Sequence, residues 1–224
     1  MVSLTLEGYG PYAPDADAAD AVFTVTGDEL RLAPGPGELS ASADPARRLF
    51  RPEPGGAPVA KGPAIRAVAR AAGDTAAFAT AALALGCGEE LLRATVAYVK
   101  QRTQFGVPVG SFQAVKHRLA DTLIGLEFAR PLLYGAAVEL ASEVSRPGAG
   151  TGSAEGSPGA GAAVAAAKVT AGEAGYAAAL TALQLHGAIG YTEELDLAWW
   201  LRRARPLRDA WGTPSVCRAR VLAG

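Results

Sequence analysis

The sequence predicts a mainly α protein, an antiparallel four-helix-type bundle preceded by a small N-terminal β-hairpin, and three observations predict it. Pro and Gly concentrate before about residue 60, whereas from about Lys61 the chain turns to Ala, Leu, Val and Arg with few breakers through Phe105. Apolar residues in the later part recur at three and four, as a buried helix face requires. The long apolar runs are parted only by Gly- and Pro-rich segments, so consecutive helices fold back on one another. With 224 residues, 50% of them hydrophobic, the chain can bury a substantial core.

In chain order, Ala21-Val-Phe-Thr-Val25 and Glu29-Leu-Arg-Leu32 flank Thr26-Gly-Asp28 and read as a hairpin. Two strands alone are marginal, so the hairpin needs support from helices or from a partner chain. The stretch APGPGELSASADPARR reads as loop, and RLFRPEPGG offers one further edge strand. A first long helix is expected over about Asp74–Gln104. Pro108 and Gly110 break it, Ser111 is a capping residue, and a second helix is expected over about Phe112–Ser145, with Val115, Leu119, Leu123 and Leu126 on one face and a kink at Pro131. RPGAGTGSAEGSPGAG, over 146–161, reads as a mobile linker without phosphate-loop spacing. A third, Ala-rich helix over about Ala162–His186 lets its neighbours approach closely; Ala165, Val169, Gly172 and Tyr176 mark its packing face, and Gly187 with Gly190 ends it. Thr192-Glu-Glu-Leu-Asp opens a short helix that carries Trp199 and Trp200 and stops at Pro206, and a last helix starts at Thr213-Pro-Ser.

A net charge of -1 and a pI near 6.2 give no general attraction to nucleic acid or to acidic membranes. Cys87 and Cys217 stand far apart without metal-like spacing, so neither a disulfide framework nor a metal site is expected. The opening MVSLTLEGYGPYAPDAD lacks a basic region followed by an apolar core, and no uninterrupted apolar run of membrane-spanning length occurs, so a cytoplasmic protein that does not engage a membrane is expected.

Two segments carry candidate chemistry. In QRTQFG, over 101–106, an Arg, a hydroxyl and an aromatic ring at a helix end could clamp a phosphate and stack a planar ring; a plain helix cap with a surface Arg explains the same residues. In QLHGAIG, over 184–190, Gln184 offers a bidentate amide, and Gly187 with Gly190 allows a ligand near the backbone.

Together, VAYVKQRTQFGVPVGSFQAVKHRLAD and, some seventy residues on, ALQLHGAIGYTEELDLAWWLRRAR resemble the C-terminal helical domain of the acyl-CoA dehydrogenases, over about Ala64 to Gly224. The resemblance implies FAD-dependent α,β-desaturation of an acyl-CoA thioester. It implies a division into a partial β segment at 1–60, a remnant of the family's middle β domain, and the bundle domain at 61–224, with the family's N-terminal helical domain lacking. In the family, the Arg, aromatic and Gln of R-x-x-F-G…Q contact the pyrophosphate and adenosine of an FAD held mainly by the neighbouring subunit. Arg102, Gln104, Phe105 and Gln113 stand at those places. Of the family's Q-x-x-G-G-x-G, Gln184, His186, Gly187 and Gly190 are kept, and Ala188 replaces a Gly. His186 and His117, with no carboxylate nearby in sequence, read as packing and capping residues rather than acids or bases.

The family's reaction needs a carboxylate base. In most members that Glu precedes the Gly-Thr of the last helix; in RDAWGTPS the residue there is Trp211, which takes no proton. In other branches the base lies on the first bundle helix beside an Arg, where Ala76 and Ala77 stand, with Asp74 close by in sequence. Asp209, Glu193 and Glu194 read as solvated or helix-end charges. The pattern implies a base-lacking subunit that completes the FAD site of a full-length acyl-CoA dehydrogenase partner in an α2β2 heteromer, with the acyl-CoA in the partner's pocket. Bulky steroid side-chain thioesters are among the substrates of such heteromers. The alternatives are a degenerate bundle serving only assembly or binding without FAD, and a self-sufficient enzyme with a relocated base.

Overall fold

The computed structural model describes residues 1–144, 158–192 and 194–223. These fall into two compact units, Met1–Ala76 with Glu139–Gly161, and Ala77–Val138 with Ala162–Gly224.

The first unit holds two small sheets. The expected hairpin is present as β3 (Ala21–Thr26) and β4 (Glu29–Leu32), paired with Thr26 opposite Glu29. Gly27 opens its two-residue turn at φ 58, the left-handed backbone that such turns demand. The hairpin does not stand alone. β1 (Val2–Leu6) lies parallel to β3, and β7 (Ala57–Lys61) pairs antiparallel with β4, giving the order β1-β3-β4-β7. β2 (Ala13–Pro14), β5 (Glu38–Ser40) and β6 (Leu49–Arg51) form a second sheet in the order β2-β6-β5. Part of the expected loop, Glu38–Ser40, is therefore a strand, because Leu39 lies opposite Phe50 and both its neighbours join the ladder. Ala13, Ala16, Val22, Ala33 and Phe50 make this unit's core.

α1 (Pro63–Gln101) starts well before Asp74. AIRAVARAA is strongly helix-forming, and Gly73 is no breaker: its missing side chain admits the Tyr9 ring, which would lie 2.7 Å from a Cβ. Among the described residues α1 is also the one helix long and apolar enough to cross a membrane, with a mean hydropathy of 1.2; Ala81, Ala84, Leu85 and Leu91 are core residues of the second unit.

In the second unit β8 (Thr103–Gln104) and β9 (Val107–Pro108) follow α1, and a single 3-10 turn leads to α2 (Gln113–Val144), with Pro131 inside it. Ser111 lies in that turn and donates to Pro108 O at 2.7 Å rather than capping α2. The buried face of α2 runs through Thr122, Leu126, Ala129 and Ala136, whereas Leu123 is exposed. Thr122 is accommodated because its hydroxyl donates to Arg118 O at 2.8 Å and meets the Thr181 hydroxyl at 3.2 Å.

α3 (Pro158–His186) begins before Ala162, with Pro at its tolerated first position. The rest of the expected linker, through residue 157, lies outside the described residues. Small residues bring α3 onto α1: a Cβ on Gly175 would stand 2.5 Å from Ala84 O, and one on Gly88 2.9 Å from Gly175 Cα. Ala165 and Gly172 of the expected packing face are buried, and Val169 and Tyr176 half-buried.

α4 (Ala198–Asp209) differs from expectation at both ends. Thr192 closes the preceding 3-10 turn, bonding Ile189 O through its N–H and hydroxyl, instead of opening α4. Pro206 sits inside the helix and does not stop it: Ala210 N still reaches Pro206 O at 2.9 Å, and Lys168 donates to the carbonyls of Leu207 and Arg208. α5 (Pro214–Ala223) starts where Thr213-Pro-Ser places it.

Candidate functional site

The QRTQFG segment folds as the β8–β9 hairpin at the end of α1. Its turn residues, Phe105 and Gly106, take φ 53 and 79. A two-residue turn left-handed at both positions matches the twist of its strands. Gly106 adopts it freely, whereas a Phe held there is strained by about 1 kcal/mol. The ring is 92% exposed and has the Phe112 edge as its aromatic neighbour, centroids 6.4 Å apart. The chain holds a costly backbone and presents an aromatic face outward.

The turn after the hairpin folds back on the last turn of α1: Val109 N donates to Arg102 O at 2.8 Å, and Gly110 lies so close that a Cβ would be 3.1 Å from Val99 O. This brings Gln113, first residue of α2, to the same end of the unit as Arg102 and Gln104. All three are exposed. Unlike Arg93, Arg130, Arg205, Arg208 and Arg218, Arg102 forms no ion pair with a described residue.

The end of α3 joins them through one contact. His186 stacks on Tyr98 of α1, centroids 4.2 Å and planes 22° apart, its Nδ1 lies 2.8 Å from Ala182 O, and Tyr98 donates its hydroxyl to His186 O at 3.5 Å. His186 is buried and acts as packing, so its ring is not offered to a ligand; His117 is exposed on α2. Gln184 and Gly187 are exposed at the same end, Gly187 at φ 65. Gly190 is buried, and a Cβ there would meet Leu183 Cδ1 at 3.1 Å, so its lack of a side chain lets the turn pack closely on the end of α3. Beside it opens a cavity of about 200 Å³ lined by Leu183, Tyr191, Thr192, Leu201 and Arg202 among others.

Trp211 lies between α4 and α5, half-buried and at φ 54, followed by Gly212 at φ 123. A Cβ on Gly212 would lie 2.9 Å from Cys217 Sγ. Cys217 is a buried free thiol whose pKa burial raises, against a smaller opposing pull from the Lys168 charge. Of the carboxylates near Trp211 in sequence, Asp209 is engaged by Arg205 at 3.5 Å and Arg208 at 3.4 Å, Glu194 is exposed, and Glu193 lies outside the described residues. In the first unit Ala76 is half-buried, and Asp74 is buried and partnered.

One residue that sequence reasoning passed over is Lys168, buried to 1% exposure with its Nζ 3.0 Å from Leu207 O and 2.8 Å from Arg208 O. Its signal was present: a lone Lys in an Ala-rich run, on the same face as Ala165 and Gly172.

The arrangement gathers a guanidinium, three side-chain amides and an aromatic face, all exposed, at one end of the bundle. That donor set suits a ligand with a pyrophosphate and a planar heterocycle. It is open rather than enclosed, so it can cover part of such a ligand held elsewhere.

Residues 66–224 match the family model of the acyl-CoA dehydrogenase C-terminal domain. The chain is 35% identical over 202 residues to acyl-CoA dehydrogenase IpdE2 of Mycobacterium tuberculosis, covering 86% of this chain and 53% of that protein. It thus spans about half the length of this curated relative. Among solved structures it is similar to the Tcur3481-Tcur3483 steroid ACAD, with TM-score 0.77, 26% identity and coverage of 99% of this chain and 61% of that one. It is similar also to a chain of the ChsE4-ChsE5 complex from Mycobacterium tuberculosis, with TM-score 0.75, 25% identity and coverage of 99% and 61%. From the matched bundle and these relatives, the chain belongs to the acyl-CoA dehydrogenase family.

Proposed function

We propose that this chain is the base-lacking subunit of a heteromeric acyl-CoA dehydrogenase, completing an FAD site held mainly by a full-length partner in an α2β2 assembly. The observation that carries the reading is a contrast. The outward-facing set Arg102, Gln104, Phe105, Gln113 and Gln184 is intact, with Phe105 held in a strained turn, while the base position ahead of Gly212-Thr213 carries Trp211.

The residues present fit part of an FAD. Arg102 would pair with its pyrophosphate, Phe105 would offer a stacking face, and the amides of Gln104, Gln113 and Gln184 would hydrogen-bond its polar edges. When bound, FAD supplies a hydride acceptor for α,β-desaturation. This chain's part is binding and orientation; the proton transfer and the acyl-CoA pocket belong to the partner. In this reading 1–60 is a piece of the family's middle β domain, 61–224 is the bundle domain, and the assembly works in the cytoplasm.

The names of two solved relatives support the heteromer: one is a complex of two unlike chains, and the other is a paired steroid ACAD. On that basis the substrate is an acyl-CoA with a bulky, steroid-like acyl group. The test is flavin stoichiometry after co-expression with a full-length acyl-CoA dehydrogenase encoded beside it. One FAD per unlike pair supports the shared site. Failure to associate, or full FAD binding by this chain alone, overturns it, and association without any dependence of flavin on Arg102 would favour a pure assembly module.

A further inference from the structure

The connection between α4 and α5 is an unusual place for an indole. Ala210 is extended at φ -68 and ψ 143, Trp211 is left-handed at φ 54, and Gly212 is at φ 123. Of the two residues at positive φ, only the Gly is suited to its backbone by type. A bulky side chain in the left-handed region persists where the surroundings over-determine it. Both helices that flank this connection are held by α3.

On the inner side Lys168, fully buried, donates to Leu207 O and Arg208 O in the last turn of α4. A buried ammonium is costly unless well paired, and the last carbonyls of a helix, short of N–H partners and at the negative end of its dipole, pair it well. Gly172, one turn on, lets the α4 backbone come close: a Cβ there would be 3.4 Å from Arg208 Cα. On the outer side Glu173 accepts two hydrogen bonds from Arg218 of α5, both at 2.6 Å, and lies 3.9 Å from the Arg208 guanidinium of α4. Arg208 also lies over the Tyr176 ring, 5.4 Å from its centroid. Three residues of one helix thus grip the end of α4, and one of them also grips α5. Trp211 hangs between the two gripped points.

We propose that Lys168 and Glu173 are positioning residues for Trp211, a two-sided clamp from α3 that presets the left-handed elbow and holds the indole in place. The functional weight of that placement rests on the reading of Trp211 as the residue at the family's base position. In that case the chain keeps a rigid elbow and fills it with an inert ring, so the position stays closed rather than merely vacant of a carboxylate.

The clamp is read by the fluorescence of Trp211 alone, in the full chain carrying Trp199→Phe and Trp200→Phe, quenched by acrylamide well below each variant's unfolding temperature. Lys168→Met is expected to raise the quenching constant of Trp211 roughly twofold by letting the elbow open locally. Leu91→Ala, a core truncation that lowers the unfolding temperature without touching the elbow, is expected to leave it at the parent value. Equal quenching in Lys168→Met and the parent, or an equal rise in Leu91→Ala, overturns the proposal. Should Lys168→Met fail to fold, the exposed outer half decides: Glu173→Gln is expected to give a smaller rise, and an unchanged constant overturns the clamp. Fluorescence reads the clamp whether or not flavin is shared, while flavin per unlike pair reads the functional assignment, so the two fail separately.

Discussion

Phe105 and Trp211 are both bulky residues held at positive φ, and both sit where the functional reading has most at stake. Phe105 gives a direct test of strain kept for use. Phe105→Asn, a residue that tolerates the left-handed region, should stabilise the chain by about 1 kcal/mol, a rise of about 2–4 °C in Tm, while lowering the flavin content of the purified complex. Stability and flavin moving in opposite directions is the signature; both falling together would mark Phe105 as ordinary packing. Arg102→Ala should also reduce flavin content, by loss of a charge-assisted phosphate contact, without a change in Tm, since the guanidinium has no ion pair with a described residue to lose. Trp211→Glu in the chain alone should yield no turnover of any acyl-CoA, because a carboxylate at the elbow does not supply a substrate pocket; activity in that variant without a partner would establish a self-sufficient enzyme.

Cys217 carries a pH prediction. Burial pushes its thiol pKa up, so the folded chain holds the proton more tightly than the unfolded chain, where a thiol titrates near ~8.5. Its stabilising contribution is therefore complete below that pH and is lost as pH rises through it toward the folded value. Chemical unfolding at rising pH should show a midpoint that falls above ~8.5, and Cys217→Ser should flatten that fall.

Between helices, small residues decide the spacing. Gly88 and Gly175 let α1 and α3 touch backbone to backbone, with no room for a Cβ beside Ala84 O. Gly175→Ala should cost roughly 1–3 kcal/mol in denaturant unfolding by forcing the pair apart, whereas Gly86→Ala, where a Cβ meets nothing within 4 Å, should be neutral or slightly stabilising by helix propensity. α4 shows how tertiary contact overrules a local stop signal. Pro206 removes one helix donor, yet the carbonyls just after it are taken by Lys168, and the helix continues to Asp209. α2 shows the reverse side of the same ledger of faces. Its buried stripe is narrow, and Ile124, Phe128 and Val138 stand 52%, 71% and 65% exposed on the side away from it.

Among the described residues, α2 exposes Ile124, Phe128 and Val138 and α5 exposes Val216, Val221 and Leu222, and Phe105 and Trp199 are exposed as well; apolar side chains of this kind that lie together mark surfaces for a partner. The chain by itself should therefore bind a hydrophobic dye and self-associate, and both should fall when the full-length partner is co-expressed. Dye binding that is unchanged in the complex would mean that these faces are not what the partner covers.

How much was legible in the sequence follows from the range of the interactions involved. The hairpin turn at Gly27, the three long helices, and the grouping of an Arg, a Phe and several amides near helix ends were readable, because turns, periodicity and motif order are local. β1 was not, since a strand pairing in parallel needs no turn signal beside it, and β5 was hidden in a Gly- and Pro-rich run that only its pairing with β6 makes a strand. The choice of Thr122 over Leu123 for the core depends on a hydroxyl partner on another helix, which no periodicity contains. The amino-acid order alone determined a helical bundle with an Arg, a Phe and several amides near helix ends and an indole just before Gly212-Thr213. Tertiary structure alone decided that His186 and Gly190 are buried against neighbouring side chains, and that Lys168 holds the end of α4, because burial and partner distance are properties of the packed chain and not of any segment within it.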